Sequence, residues 1–316
     1  MRNLVILDAA SIGKELDYSG FERFGKLTIH NETPPQCVAE RAKDADVLIL
    51  NKVRLTRENL SAAKKLRLIC EAATGFDNID LTYCREKGIA VCNVVGYSTQ
   101  SVAQLTVAMA LSLISKLGIY RPYVASGEYT RRGKPNLLEP IYHEIAGKTW
   151  GILGYGNIGK QVAAVANALG CHILAHKKTP IREVECVSLE ELCRRSDILS
   201  IHTPLNESTR NLLSREMIGL LKKECIVINV ARGAVTDEKA LAEAITEGKI
   251  GGLGVDVYSV EPFPEDHPFT KIKDLPNVLL TPHMAWGAYE TRVRLLEEMV
   301  ENTRAFFAGE RRNRVD

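Results

Sequence analysis

The sequence predicts an α/β fold of two doubly wound parallel-sheet domains, and three observations carry that expectation. Short apolar runs alternate with helical patterns along most of the chain, as parallel strands joined by crossover helices require. The length of 316 residues exceeds one ordinary hydrophobic core. The stretch Lys148 to Ala168, K-T-W-G-I-L-G-Y-G-N-I-G-K-Q-V-A-A-V-A-N-A, reads as strand, tight turn and helix.

Composition narrows the class. Hydrophobic residues make up 45% and charged residues 25%, the balance of a soluble globular protein. A formal net charge of +2 gives no basic field, so no nucleic-acid partner is expected. The apolar stretch Val102 to Leu117 is interrupted by Gln104, Thr106, Ser112 and Ser115, which predicts a buried helix and no membrane partner. The chain enters a strand pattern at Leu4 with no secretory signal. Eight cysteines lack any C-x-x-C spacing, as expected for thiols in a reducing cytoplasm.

In chain order, strands are expected at Leu4 to Leu7, Val47 to Leu50, Leu68 to Cys70 and Ala90 to Asn93. A long apolar helix runs from Gln100 to Leu117, followed by the polar surface stretch S-G-E-Y-T-R-R-G-K-P-N. After the glycine-rich turn come strands at His172 to Ala175, Ile198 to Ile201, Ile226 to Asn229, Leu253 to Val257 and Val278 to Leu280. Helices are expected between them at Ser188 to Cys193, Arg215 to Leu221 and Glu238 to Glu247. A final amphipathic helix, Tyr289 to Phe307, carries Val293, Leu296, Met299, Val300, Thr303 and Phe307 on one stripe. The expected division is therefore residues 1–98 with 284–316 as one domain and 99–283 as the other. Two crossings between domains would make a hinge beside a cleft, where such folds bind ligands.

The glycines of the turn have separate tasks. Gly154 lets the chain leave the strand sharply, Gly156 lets backbone approach a pyrophosphate, and Gly159 lets helix and strand pack closely. The N–H groups of Tyr155, Gly156, Asn157 and Ile158, with the positive end of the helix dipole, form an anion site. Strand and helix on either side are the context in which G-x-G-x-x-G signifies a dinucleotide.

Three polar residues follow strands of the second domain: Arg232, Glu261 and His283. Singly they have ordinary alternatives, as an ion-pair partner, a turn residue before Pro262, and a cap or core histidine. Together they suit the reduction of an α-keto acid. A guanidinium holds a carboxylate in a fork of two hydrogen bonds, an imidazole delivers the proton that accompanies a hydride, and a neighbouring carboxylate orients that imidazole.

With these residues in view, the order G-Y-G-N-I-G, V-N-V-A-R-G, G-V-D-V-Y-S-V-E-P and T-P-H resembles the D-isomer-specific 2-hydroxyacid dehydrogenases over nearly the whole chain. The resemblance implies a Rossmann dinucleotide-binding domain inserted in a flavodoxin-like substrate domain, and a homodimer assembled through the helix after Gln100. It implies Arg232 as substrate binder, Glu261 as partner of the histidine and His283 as acid/base. It further implies Ala231 and Asp256 beside the cofactor, with Asp256 near the nicotinamide carboxamide, and His202, Thr203 and Pro204 along the adenine side. Thr74 and Gly75, in A-T-G-F-D-N-I-D, are implied as carboxylate donors.

Finer features, N-K-V, A-A-T-G, C-N-V-V-G-Y-S-T-Q-S-V-A-Q and H-M-A-W, resemble the glycerate dehydrogenase (hydroxypyruvate reductase) branch. By that likeness Lys52 faces the substrate and Trp286 shapes the pocket, a packing role for Trp286 being the alternative. The small-molecule partner is then a 2-keto acid such as hydroxypyruvate or glyoxylate. Other readings are a 3-phosphoglycerate dehydrogenase, disfavoured because no regulatory domain is expected past the last helix, and a nucleotide-sensing corepressor. Formate dehydrogenases are disfavoured because that branch lacks a glutamate at the place of Glu261.

About 20 residues past the glycine turn, NAD enzymes place an acid for the ribose hydroxyls. This chain reads His176, Lys177, Lys178 there, with no acid. Two ammonium groups attract a 2′-phosphate, so NADP is the expected cofactor, with NAD as a weaker alternative.

Overall fold

Apolar runs expected to be strands are strands, and all of them are parallel. The computed structural model describes residues 1–179 and 182–316, and the chain divides into two units, 1–98 with 287–316 and 99–286.

The first unit holds β1 (Asn3–Ile6), β2 (Lys26–Ile29), β3 (Val47–Leu50), β4 (Leu68–Glu71) and β5 (Ala90–Cys92), in the order β2-β1-β3-β4-β5. That is the flavodoxin-like order, with the connection changing sides at β1 and β3. β3 and β4 are buried along their whole length, because helices cover both faces of such a sheet. β2 was not legible in the sequence: it is a four-residue edge strand, K-L-T-I, with three exposed positions and hence no apolar run.

The helix Tyr289–Phe307 completes this unit, with Thr303 Oγ1 3.5 Å from Cys70 Sγ in β4. Its buried face includes Leu295 and Asn302 as well as the expected Leu296, Met299 and Thr303, while Val293, Val300 and Phe307 stay half-buried. Asn302 is tolerated inside because its amide donates to Asn93 O at 3.0 Å and its carbonyl accepts from Asn313 Nδ2 at 2.9 Å.

The second unit holds β6 (Thr149–Leu153), β7 (His172–His176), β8 (Glu185–Cys186), β9 (Ile198–Ile201), β10 (Ile226–Asn229), β11 (Gly252–Val255) and β12 (Val278–Leu280). Their order, β12-β11-β10-β9-β6-β7-β8, reverses direction between β6 and β9, which is the Rossmann switch point. The two-residue edge strand β8 was too short to read. Trp150, fully buried, donates its indole N–H to Ser200 Oγ at 2.9 Å across β6 and β9.

The expected helix from Gln100 to Leu117 is two helices, Thr99–Ile114 and Leu117–Ala125, bent by 69°. Lys116 at φ +52° breaks them apart, and the second helix runs so close to Pro276 that a Cβ on Gly118 would lie 2.1 Å from its carbonyl oxygen. Met109 and Leu113 of the first helix pack where β11 has only Gly254 and Gly252. Among the described residues no single helix is long and apolar enough to cross a membrane. The polar stretch after residue 125 contains a short exposed helix, Glu128–Arg132. Residues 284–286 remain with the second unit, because Met284 and Ala285 donate their N–H groups to buried Asp256.

Candidate active site

The glycine turn lies at the switch point of the second sheet. Gly154 leaves β6 at φ +99°, and a Cβ on it would stand 2.7 Å from Thr203 N and 2.8 Å from the His202 carbonyl carbon, so the turns after β6 and β9 touch. A Cβ on Gly159 would lie 2.3 Å from Gly154 O, so the helix Asn157–Ala168 needs glycine there to start this close to the strand. Gly156 is different, since a Cβ at that position meets nothing within 4 Å. The protein's own packing does not demand that glycine. Its use is to keep a cradle open in front of the helix N-terminus, where Tyr155, Gly156, Asn157 and Ile158 bring their N–H groups and an anion is favoured.

His202, one turn away, carries a second sign of a ligand. Its Nε2 lies 2.9 Å from Ser200 Oγ, while Nδ1 is buried with no hydrogen-bond partner. Part of the residue reaches solvent, but burial of the ring pushes its pKa down to about 3, so the imidazole is neutral. An open cradle over a helix terminus and an orphaned nitrogen at the same crevice fit a dinucleotide. Thr203 and Pro204 follow on the same turn, with Pro204 O accepting from Thr209 Oγ1 at 2.6 Å.

β7 ends beside the glycine turn, where His176 O accepts the Gly154 N–H at 3.0 Å and His176 Nδ1 bonds Val187 O at 3.0 Å. Lys177 and Lys178 come next and are both exposed. Across the turn, Lys160 pairs with Glu183 at 3.1 Å, beside the mostly buried ring of Tyr155.

Further along the same sheet edge, β10, β11 and β12 deliver the polar trio. Arg232 follows β10, half-buried, in a loop buttressed by buried Asn229, whose amide donates to Arg232 O at 2.9 Å and whose carbonyl accepts from Ala231 N at 3.1 Å. Gly233 presses this loop onto the next one, since a Cβ there would stand 2.1 Å from the Tyr258 carbonyl carbon. Glu261 sits on that second loop. One of its oxygens accepts the Tyr258 N–H at 3.0 Å and the other lies 2.6 Å from His283 Nδ1.

His283 itself is held at φ +52°, a left-handed conformation costing about 1–2 kcal/mol in a non-glycine residue. Asp256, fully buried after β11, offsets that cost by gripping the loop on both sides: Oδ1 accepts from Thr281 Oγ1 at 2.6 Å and Met284 N at 2.8 Å, and Oδ2 from Ala285 N at 2.9 Å. Burial pushes the Asp256 pKa up, against these three donors and the nearby His283. Tyr258 braces the loop too, donating its hydroxyl to Thr281 O at 2.9 Å; burial pushes its pKa up to about 12, which keeps that donor protonated. Half-buried Trp286 packs against the core cluster that contains Ala285 and Trp150.

Lys52, Thr74 and Gly75 belong to the first unit, at the carboxyl ends of β3 and β4. The carboxylate of Asp8, mostly buried, accepts the N–H groups of Asn51 at 3.0 Å and Lys52 at 2.6 Å, which fixes the loop that presents the exposed Lys52. Thr74 donates its hydroxyl to Val94 O at 2.8 Å, and its carbonyl accepts from Asn93 Nδ2 at 2.8 Å. Asn78 Nδ2 ties Val53 O at 3.0 Å to the carboxyl of Glu71 at 3.1 Å. Glu71 is buried, and desolvation raises its pKa well above the usual carboxylate range.

Reasoning from sequence missed the supporting residues Asp8, Asn78, Asn229, Gly233 and Tyr258. Only Gly233 carried a signal, as the glycine directly after Arg232; the others look like ordinary strand-end polar or aromatic residues.

Comparison with known proteins agrees with this geometry. The family model described as "D-isomer specific 2-hydroxyacid dehydrogenase, NAD binding domain" matches residues 107–285. The chain is 34% identical to the glycerate dehydrogenase of Methylorubrum extorquens over 315 residues, covering 100% of this chain and 99% of that one. It is 38% identical to the glyoxylate reductase of Aeropyrum pernix over 284 residues, 87% of this chain and 84% of that one. Among solved structures, D-lactate dehydrogenase from Aquifex aeolicus, complexed with NAD and lactic acid, superposes with a TM-score of 0.85 at 31% identity, covering 98% of this chain and 96% of that one.

Proposed function

The chain belongs to the D-isomer-specific 2-hydroxyacid dehydrogenases, nicotinamide-dependent oxidoreductases of CH–OH groups, and from that premise we propose that it reduces hydroxypyruvate or glyoxylate to the corresponding D-hydroxy acid. The observation that carries the assignment of roles is the 2.6 Å contact of Glu261 with His283 Nδ1.

With Nδ1 held by Glu261, Nε2 of His283 delivers the proton to the carbonyl oxygen of the keto acid. Arg232 takes the substrate carboxylate in its guanidinium fork and polarises the adjacent carbonyl. A nicotinamide cofactor, when bound, would supply the hydride for the carbonyl carbon, and the proton from His283 would complete the reduction of C=O to CH–OH. The glycine turn would hold the pyrophosphate, His202, Thr203 and Pro204 would serve the adenine side, and Ala231 and Asp256 the nicotinamide side. By the family likeness Thr74 and Gly75 are further carboxylate donors, Lys52 is a substrate-binding residue, and Trp286 is a substrate-binding residue of the second unit.

NADP is the preferred cofactor in this reading, and the support is the cationic end of β7, where Lys177 and Lys178 stand exposed after His176. A 2′-phosphate gains from both charges, whereas the ribose diol of NAD gains little. The working unit is a homodimer, supported by the exposed apolar side chains Leu117, Val124, Leu138, Ile141 and Tyr142, all in one segment and each more than half accessible. The eight cysteines, scattered without any C-x-x-C spacing, support a reducing, cytoplasmic setting.

The deciding experiment follows NADPH and NADH absorbance with hydroxypyruvate, glyoxylate, pyruvate and phosphohydroxypyruvate. Highest kcat/KM for hydroxypyruvate or glyoxylate is expected. Preference for phosphohydroxypyruvate, or cofactor binding without turnover, overturns the substrate assignment.

A further inference from the structure

The acid/base pair is backed by a second carboxylate and imidazole. Glu238 opens the helix Glu238–Thr246, and its side chain is 10% exposed; that of His267 is 7% exposed, and the two lie 3.1 Å apart. His267 Nδ1 accepts the Phe269 N–H at 3.2 Å, so the ring proton sits on Nε2 and is donated to Glu238 Oε2. Glu238 in turn accepts both hydrogens that Ser259 offers, the backbone N–H at 2.8 Å and the hydroxyl.

These contacts bracket Glu261. Tyr258, next to Ser259, donates its N–H to Glu261 Oε1. On the other side of Glu261, the Phe263 ring lies tilted 5.0 Å from the His267 ring and edge-on 4.7 Å from the Tyr258 ring. Gly233 closes the remaining direction, since a Cβ there would stand 2.2 Å from Ser259 N. The turn that carries Glu261 is thus held before and after the glutamate, through Ser259 and Phe263, by the hydrogen-bonded pair of Glu238 and His267.

We propose that Glu238 and His267 are positioning residues for the reaction: by holding Ser259 and packing against Phe263, they set the place from which Glu261 orients the His283 imidazole. The inference rests on the reading of His283 as acid/base. Outer hydrogen-bond partners of a reacting group act this way, because small displacements of a catalytic group cost large factors in rate.

The test uses the full chain with NADPH and hydroxypyruvate. Glu238→Gln keeps the shape but replaces an acceptor by an amide N–H facing the donors of Ser259 and His267. Its kcat is expected to fall about 10- to 100-fold with the NADPH Kd unchanged. The deuterium isotope effect on kcat/KM, measured with label on the transferred hydrogen, should rise because the chemical step has slowed. His267→Gln, whose amide N–H stands in for Nε2–H, should retain turnover within about threefold, while His267→Ala falls as Glu238→Gln does. Where Glu238→Gln does not fold, Ser259→Ala is read by the same isotope effect. Wild-type kcat in Glu238→Gln, or a loss of kcat with an unchanged isotope effect, overturns the proposal. Full turnover in His283→Gln would instead overturn the reading beneath it.

Discussion

Glu261 and His283, 22 positions apart, meet through a 2.6 Å contact between a carboxylate oxygen and Nδ1. The other oxygen of Glu261 is fixed by the Tyr258 N–H, and the loop of His283 is fixed by Asp256, so neither partner is set by its own rotamer alone. An imidazole held at Nδ1 from a rigid turn is ready to give a proton from Nε2.

On the proposed roles, His283→Ala removes the proton donor, and kcat should fall by roughly 10²- to 10⁴-fold with little change in NADPH Kd. Arg232→Ala should act mainly on KM for the keto acid, because it removes the carboxylate fork. Steady-state kinetics on both variants check this, and undiminished turnover in His283→Ala would mean another residue supplies the proton.

On the proposed reading the glycines of the turn separate packing from ligand binding. Gly159→Ala drives a Cβ to 2.3 Å from Gly154 O and should cost about 1–3 kcal/mol of stability, read as a lowered Tm without cofactor. Gly156→Ala meets no protein atom within 4 Å, so its Tm should match wild type while the NADPH Kd rises about tenfold or more, some 1.4 kcal/mol. Equal Tm losses in both would contradict the distinction.

Lys177 and Lys178 should decide between the two nicotinamide cofactors. The double change Lys177→Ala, Lys178→Ala should lower kcat/KM for NADPH by about tenfold or more, with NADH affected by less than about threefold, the two charges acting only on the 2′-phosphate. A fall of the same size with both cofactors would show that these lysines do not face the phosphate.

His202 gives the protein an acid-side liability. Its folded pKa of about 3 lies below the ordinary 6.5 because the ring is buried, so the unfolded chain binds a proton that the folded chain does not. Stability is unaffected above about pH 6.5 and declines as pH falls from there toward 3, by about 2 kcal/mol at pH 5. His202→Gln should lose correspondingly less stability between pH 7 and pH 5 in denaturant titrations. Parallel losses in wild type and variant would show that the ring accepts a proton in the folded state.

Legibility in the sequence followed burial. Runs such as Val47–Leu50 and Ile198–Ile201 were readable because both faces of a parallel sheet are covered and every residue must be apolar. β2 and β8, at sheet edges, had no such run, and Asn302 was absent from the expected buried stripe because it is its partners Asn93 and Asn313 that make it welcome inside. The break at Lys116 was likewise invisible, since a left-handed lysine leaves no mark in an apolar pattern.

By itself, the order of residues determined the two parallel sheets, the glycine turn that opens a helix, and which polar residues stand at strand ends, because each is a local pattern of burial and backbone freedom. Tertiary structure alone decided that Glu261 reaches His283, that Asp256 binds three donors of the 281–285 loop, and that Gly233 lets the loops of Arg232 and Glu261 touch. Those contacts depend on β10, β11 and β12 lying side by side with their carboxyl ends together, and strand order is a property of long-range packing that no local spacing encodes.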